Sequence, residues 1–184
     1  MREGLAEAGV GVAHVDDVIV SHVHDDHLGW LVTSDLGPRF PNARYGVHRA
    51  DWDAIQNDDP EDVGIFERTL RPLERHGVLQ LIDGALAVTP SLRLQPAPGH
   101  TPGHQVMLVE GGAILSADTT DHPALVEDPS WSGTTDGDPE LAATTRRRLL
   151  DEAERDGRVW IASHFPVPFG RIVMEGGRRM WRTT

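Results

Sequence analysis

Short apolar runs alternate along the chain with polar segments rich in Gly, Pro and Asp. Residues 1–8 predict a short helix closed by Gly9. Val18-Ile19-Val20 reads as a buried strand leading straight into Ser21-His22. Residues 27–33 predict the first turns of a helix, with Asp25 and Asp26 at its electropositive start. A strand over 43–47 precedes helices over 49–56 and 63–75, with the acidic loop Asp58-Asp59-Pro60-Glu61-Asp62 between them. Pro72 is expected to break or restart the second of these helices. The texture then changes to short strands over 78–82, 85–89, 92–95, 106–109 and 113–116, punctuated by Gly and Pro as in hairpins. The clearest helix follows: Asp138 as N-cap, Pro139 in the first helical position and Gly157 closing the end. The run Arg146-Arg147-Arg148 inside it reads as a solvated face. A buried strand over 159–162 ends at Ser163-His164. Strands alternate with helices at both ends, so the expected class is α/β layering.

Composition narrows the chemistry. The 184 residues suit one domain, 1–184, with an adequate core. Cys is absent, which removes disulfides, thiolate metal sites and thiol nucleophiles. Lys is absent as well, so neither a Schiff-base lysine nor a P-loop lysine is available. A net charge of −12 argues against nucleic acid or an anionic membrane as partner. No apolar run reaches the ~20 residues of a membrane span, and the N-terminus lacks a signal-peptide stretch. The expectation is a soluble, cytoplasmic protein acting on a small-molecule substrate. The unusual abundance is that of His, with 10 residues.

The central motif is His22-Val23-His24-Asp25-Asp26-His27. On extended backbone His22 and His24 point to the same side, and Asp26 and His27 follow where the chain turns into a helix. This composition would produce the pattern by chance in about three of a thousand such chains. Imidazoles and a carboxylate suit zinc and other first-row divalent ions. Four such groups crowded into six residues hint at two metals rather than one. His100, in the Gly/Pro turn Pro98–His104, and Asp118 and His164, each after an apolar strand, sit where side chains converge on a sheet edge.

With these pieces in order, the sequence resembles the metallo-β-lactamase superfamily of metal-dependent hydrolases. The resemblance rests on His22–His27, Gly99-His100-Thr101-Pro102-Gly103-His104, Ser116-Ala117-Asp118 and Ser163-His164-Phe165-Pro166. Within the superfamily the chain looks most like the branch of N-acyl homoserine lactonases and organophosphate-degrading enzymes. The resemblance implies an αβ/βα sandwich. It implies two divalent ions, zinc favoured: His22, His24 and His100 on the first, Asp26, His27 and His164 on the second, and Asp118 bridging. It implies a bridging hydroxide that attacks an ester, lactone or phosphotriester, with Asp26 and Asp118 as the catalytic carboxylates. His104 is expected to support the ligands from behind, and His122 either lines the substrate pocket or sits in a loop.

Two departures keep alternatives open. Several lactonases carry a Tyr shortly after the bridging Asp; here Thr119-Thr120-Asp121 follow Asp118, and the single Tyr is Tyr45. Thr119, Thr120 and His122 are the available substitutes, and a glyoxalase-type thioester hydrolase is the runner-up. Only 21 residues precede His22, fewer than the first-sheet strands of complete members require. The fold is therefore expected to lack some N-terminal strands. A truncated metal-binding homologue with little activity is the remaining alternative, and exposed sheet edges make a homodimer plausible.

Overall fold

The computed structural model describes residues 2–56 and 60–184. Backbone contacts divide the chain into two units, Met1–Asp83 and Gly84–Thr184. Met1, and Asp58 and Asp59 of the expected acidic loop, lie outside the described residues.

The first unit runs α1 (Arg2–Glu7), a 3-10 turn (Val12–His14), β1 (Asp17–Ile19), α2 (Asp25–Leu28), β2 (Arg44–His48), α3 (Arg49–Ile55), α4 (Pro60–Arg75) and β3 (Leu79–Ile82). Its sheet has the order β1-β2-β3, with both pairings parallel. The core gathers Val20, Val23, Leu28, Tyr45, Val47, Trp52, Phe66, Leu70 and Leu73. Phe66, Leu70 and Leu73 recur at helical spacing, which explains why α4 forms and which face it buries.

Two expectations fail in this unit. Pro72 lies inside α4 without ending it, and the His76 amide still donates to the Pro72 carbonyl at 2.9 Å. The proline costs the helix one amide donor, and the packed face on either side carries it through. The helix expected over 27–33 is instead a single turn that starts earlier, at Asp25, and ends at Leu28. Val32 bridges Pro38, and the Thr33 amide and hydroxyl both donate to the Gly37 carbonyl. The turn-forming stretch Ser34-Asp35-Leu36-Gly37 thus folds the chain back before a second helical turn is made.

The second unit holds β4 (Leu86–Thr89), β5 (Leu92–Pro96), β6 (Gln105–Val109), β7 (Ala113–Ala117), α5 (Ala124–Glu127), α6 (Pro139–Arg155), β8 (Val159–Ala162), β9 (Phe169–Glu175) and β10 (Arg178–Thr183). They make one sheet in the order β10-β9-β8-β7-β6-β5-β4. Only β7 and β8 pair in parallel, with α6 as their crossover. That pairing brings two strand C-termini to the same edge, and Asp118 and His164 follow those two ends.

Helix α6 is built as its sequence dictates. The Asp138 carboxylate accepts the Leu141 amide at 3.0 Å, and Gly157 closes the end at φ +62°. Ala142, Thr145, Arg146, Leu149, Leu150 and Ala153 form its buried stripe. Arg146 is therefore not part of a solvated face; Arg147 and Arg148 are exposed, but Arg146 is only 1% exposed. Three consecutive helical residues span about 200° around the axis, so a run of three beside an apolar stripe turns one of them inward. Among the described residues, no helix is long and apolar enough to cross a membrane.

Candidate metal centre

In the first unit one ladder contact continues past β1, after which Ser21 and His22 form a bend. The Val20 amide donates to the Gly46 carbonyl at 2.9 Å, and His24 holds φ −125° and ψ 158° as the N-cap of α2. Val23, between His22 and His24, packs into the core. The rings of His22 and His24 lie 4.8 Å apart edge to face, and those of His22 and His27 lie 4.1 Å apart. His22 is buried and has the Ser21 hydroxyl 3.1 Å from its Nδ1. The Asp26 carboxylate lies 3.3 Å from His27 Nε2 and is half-exposed. Asp51, which no sequence reasoning singled out, is buried in α3 and accepts the Val23 amide at 3.0 Å, holding the peptide between the two histidines.

In the second unit, three segments carry candidate ligands. The turn after β5 is shaped by Gly99 at φ +132°, a conformation that disfavours other residues; a β-carbon there would also collide with the Ala142 backbone of α6. His100 follows it and is buried. Strand β7 ends on Ala117 at φ +44°, a conformation that L-residues seldom adopt, and this kink delivers Asp118 from the strand end. His164 comes from the loop after β8. One oxygen of Asp118, Oδ2, lies 3.1 Å from His164 Nε2 and 3.7 Å from His100 Nε2.

Two further side chains brace this group. His104 is fully buried, with Nδ1 bonded to the Ala97 carbonyl at 3.1 Å, and its Nε2 accepts the Asp118 amide at 3.2 Å. A carbonyl only accepts, so Nδ1 carries the proton and His104 spans the ends of β5 and β7 as a neutral ring. Asp136 was missed by the sequence reasoning. Its Oδ1 lies 3.0 Å from His100 Nδ1, and its Oδ2 accepts from Arg146 Nη2 at 3.0 Å. Burial works to raise the Asp136 carboxyl, but the hydrogen bonds from His100 and Arg146 and the Arg146 charge outweigh it and hold it at about 2. In the sequence Asp136 is one more Asp in a Gly-rich turn, so only its place ahead of the Asp138 cap hinted at order.

The remaining expectations resolve locally. His122 is exposed, and its Nδ1 accepts the Ala124 amide at the start of α5. Tyr45 is buried in the first unit, where its hydroxyl accepts the Phe40 amide at 2.8 Å. Thr120 is fully buried and accepts the Trp160 indole N–H at 3.0 Å, so its hydroxyl serves the core.

The donor chemistry on both units is imidazole nitrogen and carboxylate oxygen, with no thiolate, and it fits zinc or a similar divalent ion. His100 also has the carboxylate behind its far nitrogen that metal-binding histidines usually carry.

The family model of the metallo-beta-lactamase superfamily matches residues 1–164. The chain belongs to this superfamily. Superfamily members of known function similar to it include an N-acyl homoserine lactonase of Bacillus thuringiensis, 27% identical over 152 residues that make up 80% of this chain and 54% of the lactonase. The chain thus spans about half the length of such relatives. Among solved structures, the dizinc quorum-quenching lactonase AidC superposes with a TM-score of 0.86 at 23% identity, covering 99% of this chain and 68% of that one. The hydrolase AbOPH superposes with a TM-score of 0.82 at 21% identity, covering 99% and 68%. At these identities the two structures speak for the metallo-β-lactamase fold.

Proposed function

We propose that the two units act as one metallo-β-lactamase-like domain, a binuclear metal-dependent hydrolase of small esters, lactones or phosphotriesters. One observation carries the reading. A single oxygen of Asp118 faces Nε2 of both His100 and His164, the place of a carboxylate shared between two ions. His22, His24 and His100 would hold one ion; Asp26, His27 and His164 would hold the other, with Asp118 common to both. Zinc is favoured by the donor set, and the likeness to a dizinc lactonase supports it. When bound, such a pair would polarise a carbonyl or phosphoryl oxygen and bring the pKa of a water towards neutrality.

The chain's own residues then have defined tasks. Asp118 sets the spacing of the two sites, and His104 holds Asp118 through its amide. Asp26, half-exposed on the first turn of α2, would take the proton of the attacking water and return it to the leaving group. Similarity to N-acyl homoserine lactonases supports testing lactones first among substrates. The burial of Tyr45 against Phe40 favours a second reading, a thioester hydrolase, in which no tyrosine holds the substrate carbonyl. The reading sets this work in the cytoplasm, with a homodimer as a permitted form.

Metal analysis paired with a hydrolysis screen tests the proposal. About two divalent ions per chain are expected, with turnover of a lactone, aryl ester, thioester or phosphotriester that a chelator abolishes and zinc restores. Protein purified without bound metal, or hydrolysis indifferent to the chelator, overturns it.

A further inference from the structure

Helix α6 places one cation where the solvent-facing runs of a helix surface would not. Arg146 is 1% exposed, and each of its nitrogens reaches a different part of the loops around it. Its Nε donates to the Thr119 carbonyl at 2.7 Å, one residue beyond Asp118. Its Nη1 donates to the carbonyls of Trp131 and Pro129. Its Nη2 donates to Asp136 Oδ2, which also accepts from the Ser132 hydroxyl and the Gly133 amide at 3.1 and 3.2 Å. The other oxygen of Asp136 is left for His100 Nδ1. The backbone follows the same path: the Gly137 amide donates to the His100 carbonyl, the Asp138 amide to the Gly99 carbonyl, and the Thr145 hydroxyl to the Pro98 carbonyl.

A buried ion pair is poor value for stability alone, because desolvating both charges offsets much of their attraction. The placement of this one has a clearer rationale. A carboxylate only accepts, so the bond to Asp136 puts the proton of His100 on Nδ1 and leaves the Nε2 lone pair directed towards Asp118. The same guanidinium pins the peptide that follows Asp118. We propose that Arg146 and Asp136 are positioning residues for the metal centre: the pair fixes the tautomer and ring plane of His100 and, through Thr119, the loop bearing Asp118. This rests on the reading of His100 and Asp118 as ligands.

The test uses the full chain, 15N-labelled, with the variants Asp136→Asn, Arg146→Met and Arg146→Lys, and Arg147→Ala as an exposed neighbour. Long-range 1H–15N spectra of chelator-treated protein report the His100 tautomer, with His100→Gln identifying its signals. Competition with a chromophoric chelator reports zinc affinity. The wild type is expected to show the Nδ1-protonated form. Asp136→Asn and Arg146→Met should mix the tautomers and weaken zinc binding about 10–100-fold. Arg146→Lys should recover part of the loss, since it restores a charge on Asp136 but not the fork onto the carbonyls, and Arg147→Ala should match the wild type. If Arg146→Met fails to fold by circular dichroism, the near-isosteric Asp136→Asn carries the decision. Folded variants with an unchanged His100 tautomer and wild-type zinc affinity overturn the inference. A wild type that binds no zinc defeats the hydrolase reading instead, and its His100 spectrum still decides whether the pair orients the ring.

Discussion

The backbone amide of Asp118 donates to Nε2 of His104 across 3.2 Å, joining the end of β7 to the turn after β5. The motif histidine of the turn that is not proposed as a ligand is therefore the one that fixes the carboxylate proposed to be shared. His104→Ala leaves a buried amide without its acceptor and opens a void, which should cost about 2–4 kcal/mol. Thermal unfolding of the chelated protein measures this. Zinc stoichiometry should fall together with stability, and a variant as stable as the wild type would remove the bracing role.

Asp26 is proposed both to hold a metal and to handle a proton, and one substitution separates the two tasks. Asp26→Asn keeps an oxygen donor for the metal but takes away the proton acceptor. The expected result is a chain that retains most of its zinc while kcat falls about 10²–10⁴-fold. The loss should grow with the pKa of the leaving group, because a good leaving group needs no proton. Parallel rates for an aryl ester and an alkyl lactone series check this, and an equal loss across the series would assign Asp26 to metal holding alone.

Legibility from sequence varied with how local the signal was. The motif His22–His27 could be read because its metal-ligating residue types fall within six residues, even though Ser21 and His22 form a bend rather than a strand, and the Asp138–Pro139 start and Gly157 stop of α6 are chemical signals confined to a few residues. Strands β9 and β10 were not anticipated: they are half-exposed and carry four Arg, which hides a buried face. Their turn, Gly176-Gly177 with both φ positive, was the available cue. Arg146 and Asp136 were invisible for a different reason. A buried charge is recognisable only with its counter-charge and its carbonyl partners, and those lie on separate segments that come together only in the fold.

Gly99 should tolerate no side chain. Its φ of +132° is strained for any L-residue, and a β-carbon would press on the Ala142 backbone at the start of α6. Gly99→Ala is therefore expected to displace the His100 turn from α6 and to destabilise the chain by about 2 kcal/mol or more. Chemical unfolding gives the energy. Gly112, also at positive φ but with nothing near its β-position, provides the comparison: Gly112→Ala carries the backbone strain without the clash and should lose less. Equal losses at the two sites would mean that strain, not the contact with α6, dominates.

Asp51 offers a test of the first unit that does not depend on the second. Its buried carboxylate accepts the Val23 amide, so the peptide between His22 and His24 is held from α3. Asp51→Ala removes the acceptor at a site where water cannot readily replace it, with a cost of about 1–3 kcal/mol. In a chain of this size that lowers Tm by about 2–4 °C for each kcal/mol. Asp51→Asn keeps an oxygen for the Val23 amide and should recover most of the loss. The useful comparison is between stability and zinc content. If Asp51 positions the histidine pair, Asp51→Ala should lose zinc at temperatures where it is still folded, and Asp51→Asn should keep it. Zinc loss that merely follows the unfolding curve in both variants would show Asp51 to be a core residue with no hold on the metal site.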